Sequence, residues 1–198
     1  EVFADLPQLC PSLHLPIQSG SDRILAAMGR GHSADDYCDW VDRLRQARPD
    51  LAMASDFIVG FPGESEQDFQ QTLDLVDRVG FDHAYSFRFS ARPGTAAAQM
   101  GPLVADAVAA ERLQRLQQRL EQWQLQSNRK QVGRHVAVLV EGPSRMSATD
   151  LAGRTPDGRA IHFPVALEDT SRWIGQIVTV TVTEGLPNSL RGRLTGDG

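Results

Sequence analysis

Three polar residues at or after the ends of two apolar segments have the side-chain types needed to bind a small polar ligand. Asp56 lies in the apolar run Leu51–Val59, and Gln18 closes the run Ser12–Gln18. Arg30 follows Gln18 by twelve residues, on a glycine-flanked bend. A carboxylate in an apolar strand is costly unless it is paired or faces a polar cavity. Asp56 is therefore predicted either to make a structural contact or to touch a ligand, and Gln18 to face the same cavity.

The segment after the second of these runs has the pattern of a strand, a tight glycine turn and a helix N-terminus. Gly60 and Gly63 enclose a proline, and Ser65 with Asp68 three residues later is typical of a helix capping box. Such a turn presents backbone N–H groups and a helix dipole at the carboxyl end of a strand, where parallel α/β sheets bind ligands. The same pattern also serves as a compact strand-to-helix connection without a ligand.

The strand–turn–helix pattern occurs three times before residue 100. Strands are predicted at Ser12–Gln18, Leu51–Val59 and Phe81–Ser90, each in an α/β unit of the kind that builds a right-handed parallel arrangement. Three strands cannot close a barrel. Residues 1–132 are therefore predicted to be the carboxyl-terminal half of a larger parallel (β/α) barrel together with a connecting helix, and an earlier portion is expected to be missing.

A long helix and a small all-β domain are predicted to follow. Leucines and Trp123 at helical spacing give residues 105–131 a narrow apolar seam. Residues 133–198 contain five short strands separated by Gly/Pro turns, which predicts an OB-like barrel, a fold that commonly binds oligonucleotides but also serves as a structural module. The strands are predicted at Arg134–Glu141, Met146–Gly153, Arg159–Phe163, Gly175–Thr183 and Asn188–Leu194. Five arginines in or beside its turns are the predicted nucleic-acid contacts: Arg145, Arg154, Arg159, Arg191 and Arg193.

Composition limits the alternatives. Residues 1–132 carry 13 Lys+Arg against 18 Asp+Glu, and residues 133–198 carry seven of each, so neither part has the strongly basic balance of a free-standing nucleic-acid binder. No apolar run approaches the ~20 residues of a membrane span, and no signal peptide opens the chain. A cytoplasmic protein without membrane contact is expected. Cys10 and Cys38 stand alone, which predicts neither a disulfide framework nor a metal site.

Three motifs resemble the later strands of radical S-adenosylmethionine (SAM) enzymes: His14–Ser21, Ser55–Glu64 and Tyr85–Thr95. More narrowly, they are similar to the tRNA methylthiotransferases of the MiaB family, which convert isopentenyl-adenosine beside the anticodon to its 2-methylthio form. The closing Pro187–Gly192 and the small barrel look like the TRAM domain of that family, an RNA-binding module. The resemblance covers essentially the whole chain.

This resemblance implies a role for each polar strand end. Gln18 and Asp56 match the residues that hold the ribose of SAM, and Arg30 matches the arginine that meets its carboxylate. Ile58 is expected to pack near the adenine, and backbone around Ala91 to contact its edge. A diol is well recognised by a carboxylate plus an amide, and a carboxylate by a guanidinium. The barrel arginines are expected to bind a tRNA anticodon stem-loop.

The chain departs from the family in its cysteines. The CxxxCxxC motif that binds the reducing iron–sulfur cluster, and the amino-terminal domain that carries a second cluster, are absent, so the cluster ligands lie outside this chain. No catalytic residue and no metal ligand is assigned, and the chain alone is expected to be inactive. Its partners are expected to be tRNA and the missing amino-terminal half, and exposed strand edges favour a dimer.

Two other functions fit the sequence. One is the sister family that modifies a ribosomal protein, the RimO family, although Ser55–Ile58 and Ser90–Thr95 are more similar to the tRNA enzymes. The other is a non-catalytic RNA-binding module in which the half-barrel is only a scaffold.

Overall fold

The computed structural model describes residues 2–6, 8–147, 149–165 and 170–195. Within them the chain forms two compact units, residues 2–6 with 13–123 and residues 8–12 with 124–195. Each unit has its own hydrophobic core. The division falls inside the long helix, whereas the sequence places the domain boundary after it, at residue 132; that boundary stays a prediction. None of the helices in the described ranges combines the length and apolarity of a membrane span.

A three-stranded sheet organises the first unit. Its strands are β1 (Ser12–His14), β2 (Ala52–Val59) and β3 (His83–Arg88), in the order β1-β2-β3, and β2 and β3 are parallel. The helices around it are α1 (Val2–Asp5), α2 (Asp22–Ala27), α3 (Ala34–Ala47) and α4 (Glu66–Val79), with a 3₁₀ turn at Ala96–Gln99 after β3. The prediction of three strand–helix units in a partial parallel barrel is confirmed.

The two faces of β2 differ in burial. Met53, Phe57 and Val59 are completely buried in the core of the first unit. Alternate residues of a strand point to opposite faces, so Asp56 and Ile58 share the other face, where they are only partly covered. Their register partners on β3 are Tyr85 and Phe87, which are 63% and 54% exposed. The sheet therefore has one covered face and one open face, and the predicted ligand residues of β2 lie on the open face.

The long helix α5 spans Asp106–Arg129. In the first unit, Leu116 and Leu120 are buried in the core, which confirms the predicted apolar seam. Trp123 Nε1 donates to Asp77 Oδ1 at 2.9 Å, and Arg119 pairs with the same carboxylate at 2.8 Å. Arg119 and Trp123 therefore hold this part of α5 against α4.

The second unit is a closed five-stranded barrel. Its strands are β4 (His135–Pro143), β5 (Asp150–Arg154), β6 (Ala160–Pro164), β7 (Ile177–Gly185) and β8 (Leu190–Leu194), with a short helix α6 (Thr170–Trp173) before β7. The strand order around the barrel is β4-β5-β6-β8-β7. Valines on alternate positions of β4 and β7 fill the interior with Leu151, Ile161 and Phe163. The predicted five-stranded barrel is confirmed.

One barrel strand begins later than predicted. The sequence indicated a strand from Met146, but β5 starts at Asp150. Ser144 N–H donates to Asp150 C=O at 2.8 Å, and Met146 N–H donates to Ser144 Oγ at 3.0 Å. These bonds close a turn, so the N–H groups of Ser144 and Met146 are used locally.

Candidate functional site

The first strand ends at His14 instead of Gln18, and Pro16 explains why. Proline has no N–H to donate to a neighbouring strand. Ile17 does have one, but it donates to the side-chain oxygen of Ser55 at 3.1 Å, not to a backbone carbonyl. The regular ladder is therefore interrupted directly before the predicted ligand residue.

The chain rejoins β2 at Gln18 with one extra residue. Leu15 N–H donates to Ala54 C=O, and the next such bond runs from Gln18 N–H to Asp56 C=O at 3.0 Å. Three steps along the first segment thus match two steps along β2, as in a β-bulge. Ile58 N–H in turn donates to Gln18 C=O at 2.9 Å. These backbone bonds fix Gln18 beside Asp56.

Gln18 has an unusual backbone conformation. Its φ of 77° lies in the left-handed region, and among the described residues it is the only non-glycine residue with a positive φ. This region costs a non-glycine residue about 1 kcal/mol. The side chain is also buried, with the residue only 8% exposed. A strained, buried glutamine at a strand end is a feature that often marks a functional position.

The carboxylate of Asp56 has a partner that the sequence did not single out. His14 Nε2 lies 3.0 Å from Asp56 Oδ1, and the two side chains are 50% and 27% exposed. From the sequence alone, a lone histidine at this position is more often packed or solvent-bridged than a ligand. The signal that could have revealed the contact is the order of the strands. His14 is the last residue of β1, and β1 lies next to β2, which contains Asp56.

The remaining predicted ligand residues lie on the open face and on loops. Ile58 is partly covered on the same face of β2 as Asp56. Arg30 is exposed on the loop after α2, where its N–H donates to Leu25 C=O. Ala91 is exposed after β3, and it lines a cavity of about 460 Å³. The structure thus brings Gln18 beside the β2 residues Asp56 and Ile58, through an isolated bridge after β1, and it places Arg30 and Ala91 on two separate loops.

The glycine turn after β2 is held in place by contacts within the first unit. Gly60 has a φ of +74°, and a Cβ at this position would lie 2.7 Å from the Cβ of Ala109, so no larger residue fits. The buried carboxylate of Glu64 accepts a hydrogen bond from Gly60 N–H at 2.7 Å and forms an ion pair with Arg112 at 2.8 Å. Burial raises the pKa of Glu64, and these two donors act against that rise. The Gly60 N–H is therefore used internally and is not free for a ligand, contrary to the expected bare turn.

The N-terminus of α4 is occupied in a similar way. Ser65 and Asp68 form the predicted capping box, and Asp68 also accepts hydrogen bonds from Ser21 and Arg23. Burial opposes ionisation of Asp68, but the hydrogen bonds from Arg23, Ser21 and Ser65 outweigh it and hold the pKa of this carboxyl well below its usual value. This network joins α4 to the helix that follows Gln18. Its role is structural.

Four of the five predicted RNA-binding arginines lie on the barrel surface. Arg191 and Arg193 are exposed and flank the buried Gly192 of β8, so both point to the outer face. Arg145 is exposed in the turn before β5. Arg154 is exposed at the end of β5, and its Nε pairs with Glu141 at 3.2 Å.

The fifth, Arg159, is buried. It is 3% exposed, its Nε donates to Asp157 at 2.6 Å, and its Nη1 donates to Asn128 Oδ1 at 2.7 Å. Its Nη2 reaches Ser127 Oγ at 3.0 Å. The structure therefore gives Arg159 a set of internal partners inside the second unit.

The cysteines do not form a cluster site. Cys10 is exposed and Cys38 is buried in α3. Within the ranges that the structure describes, no group of three or more His, Cys, Asp or Glu side chains could hold a metal ion. Iron–sulfur clusters in proteins are held mainly by several cysteine thiolates, so the residues of this chain do not fit such a cluster.

Comparisons with known proteins match both units. Residues 1–76 match the Radical SAM superfamily, and residues 129–195 match the TRAM domain. A protein of Magnetococcus marinus is 59% identical over 196 residues, which cover 98% of this chain and 44% of the relative. Relatives from Methylococcus capsulatus and Stenotrophomonas maltophilia are 50% and 46% identical over 99% and 100% of the chain, and 42% and 41% of their own lengths. All three are named tRNA-2-methylthio-N(6)-dimethylallyladenosine synthase.

These matches identify the class of each unit: the first unit contains a Radical SAM segment and the second a TRAM domain. The chain is also similar in sequence to the tRNA methylthiotransferases, which confirms the resemblance seen in the motifs. The chain spans less than half the length of these curated relatives.

Proposed function

We propose that this chain provides part of the SAM-binding site and the RNA-binding barrel of a tRNA methylthiotransferase. The observation that carries the proposal is the placement of Gln18 beside Asp56, through backbone bonds that hold Gln18 in a strained conformation. An amide and a carboxylate on adjacent segments of chain are a suitable donor and acceptor set for a ribose diol. The names of the relatives give the reaction class.

The side chains of the open face and its loops fit SAM. Asp56 and Gln18 would hold the ribose hydroxyls, and Arg30 would pair with the amino-acid carboxylate. Ile58 would pack against the adenine, and backbone at Ala91 would contact its edge. When bound in the complete enzyme, SAM supplies the radical that removes hydrogen from the substrate adenine. The task of these residues is to orient it.

The iron–sulfur clusters implied by the family do not fit this chain. Only two cysteines occur in the sequence: Cys10 lies before β1, and Cys38 lies in α3. We infer that the cluster ligands and the other barrel strands come from residues outside these 198, and that the chain alone does not catalyse the reaction. Its action would take place in the cytoplasm, where tRNA is found.

The SAM-binding proposal is tested by titrating the isotope-labelled 198-residue chain with SAM in NMR spectra, which show weak and tight binding alike. Asp56→Asn, Gln18→Ala and Arg30→Ala are each expected to raise the Kd about threefold to tenfold, the effect of one hydrogen bond or ion pair. Asp42→Asn and Arg43→Ala, on the exposed side of α3, are the matched controls. Unchanged affinity in all three site variants would overturn the proposal.

The barrel is proposed to bind the anticodon stem-loop of a tRNA. Its support is the match of residues 129–195 to the TRAM domain and the exposure of four arginines. Arginine recognises phosphate through a planar fork of donors, and phosphate contacts make binding dependent on salt. In this proposal Arg159 would support the RNA-binding surface from within the second unit, since its partners are internal.

The RNA proposal is tested by fluorescence anisotropy of a labelled anticodon stem-loop over a range of salt concentrations. Arg191→Ala and Arg193→Ala are each expected to weaken binding and to reduce the slope of log K against log salt by about 0.7 to 0.9 for each phosphate that the variant no longer binds. Arg43→Ala, exposed in the first unit, is the matched control. A slope that stays at the unmodified value in both barrel variants would contradict the proposal.

A further inference from the structure

The partner of Asp56 is a histidine to which the proposed SAM site gives no task. Within the described part of the chain, His14 is the only side chain that hydrogen-bonds to the carboxylate of Asp56, at 3.0 Å between Nε2 and Oδ1. His14 closes β1, and Asp56 lies on the open face of β2. The contact therefore lies on the same face as the proposed ribose site.

The chemistry of the contact fixes its direction. An ionised carboxylate only accepts hydrogen bonds, so the imidazole donates through Nε2–H. This bond occupies Oδ1 of Asp56 and leaves the second oxygen for another donor. It also restricts rotation of the carboxylate, which lowers the ordering cost when a ligand hydroxyl binds. A histidine in this arrangement orients an acceptor without touching the ligand.

We infer that His14 is a positioning residue for the ribose-binding carboxylate of Asp56. The inference rests on the proposed SAM-binding function, and it assigns to His14 a task in the affinity for a nucleoside diol. A purely structural role predicts something different. Both side chains are partly exposed, and exposed pairs contribute little to stability. The contact is thus expected to act on ligand affinity much more than on folding.

The test compares two substitutions of His14 in the same SAM titration. His14→Ala removes the donor and is expected to raise the Kd about threefold to tenfold. His14→Gln keeps an N–H near the position of Nε2 and is expected to return the Kd to within about twofold of the original value. His135→Ala, an exposed histidine of the barrel, is the matched control and should leave the Kd unchanged. Thermal unfolding of each variant shows whether the fold is kept.

A double substitution identifies the route of the effect. In the Asp56→Asn background, His14→Ala is expected to have little further effect, because the carboxylate that it orients is gone. The inference is overturned if His14→Ala binds SAM as tightly as the original chain, or if His14→Gln does not recover the affinity. In either case, loss of binding in Asp56→Asn would still support the proposed SAM site. Should His14→Ala unfold, recovery of folding but not of affinity in His14→Gln would also overturn it. If Asp56→Asn, Gln18→Ala and Arg30→Ala all bind as before, the SAM proposal itself fails.

Discussion

Single residues set the geometry of the open sheet face. Gln18 combines a left-handed backbone, burial and two backbone hydrogen bonds to β2. A glycine would adopt this conformation without strain, so the backbone alone does not explain a glutamine here. The side-chain amide is the remaining reason, and it is the group that the proposed ribose contact uses.

Replacing Gln18 separates these two contributions. Gln18→Gly relieves the backbone strain, whereas Gln18→Ala keeps it, and both remove the amide. We expect the glycine variant to have a higher free energy of unfolding than the alanine variant by about 1 kcal/mol. Both should bind SAM equally weakly. Urea unfolding followed by circular dichroism measures the first difference and NMR titration the second. Equal stability of the two variants would show that the positive φ is not a strained state.

At this scale the sequence predicted residue types better than contacts. The apolar runs that contain Gln18 and Asp56 predicted that the two residues lie near each other, and the structure pairs their backbones. The extra residue at Pro16 and the contact from His14 did not follow, because a bulge depends on which partner a neighbouring strand offers. Here that partner is the hydroxyl of Ser55, on a segment far away in sequence.

The elements are held by charged networks at their ends. Asp68 caps α4 and also accepts hydrogen bonds from Ser21 and Arg23, in the segment that follows Gln18. Glu64 and Arg112 form a buried pair that ties the turn after β2 to α5. Removing one partner of such a pair leaves a buried charge without compensation. These contacts therefore fix the positions of the N-terminus of α4 and of the turn after β2.

The Asp68 network predicts a pH dependence of stability. Because the pKa of Asp68 is lower in the folded chain than in the unfolded chain, the unfolded chain binds more protons in the interval between the two values. The stabilisation is present above about pH 4 and is lost as the pH falls further. Asp68→Asn is expected to lower the free energy of unfolding by about 2 kcal/mol near pH 7 and by much less at low pH, because it weakens hydrogen bonds to a charged group.

Urea unfolding across the acid range measures this difference between the original chain and Asp68→Asn. Asp74→Asn, an exposed carboxylate on the same helix, is the control and should cost less than about 0.5 kcal/mol. A difference that is independent of pH would show that the carboxylate acts through packing and not through its charge.

Element boundaries were predictable where capping residues mark them. The N-terminus of α4 at Ser65 followed from the capping box. The late start of β5 was not predicted, because Met146 lies in a local turn in which its N–H donates to Ser144 and not to a neighbouring strand. The contacts of Arg119 and Trp123 in α5 with Asp77 did not follow, since their acidic partner lies on another helix.

The whole molecule joins a closed barrel to an open sheet. All five barrel strands have neighbours on both sides, so the barrel has no free edge. The three-stranded sheet has two outer strands and an open face that exposes Tyr85 and Phe87. A large exposed apolar surface next to a strand edge favours association with another chain. The sequence predicted this asymmetry from the number of strands, because three strands cannot close a barrel.

The open sheet predicts that the 198-residue chain self-associates, as a dimer of the half-barrel. Tyr85→Lys and Phe87→Lys place charges on the exposed face of β3 and are expected to raise the concentration needed for association at least about tenfold, or about 1.4 kcal/mol. Analytical ultracentrifugation over a range of protein concentrations gives the mass. Leu139→Lys, at a comparably exposed apolar position of the barrel, should leave the association unchanged. A mass that stays monomeric at every concentration, or association that survives both lysines, would contradict the role of this face.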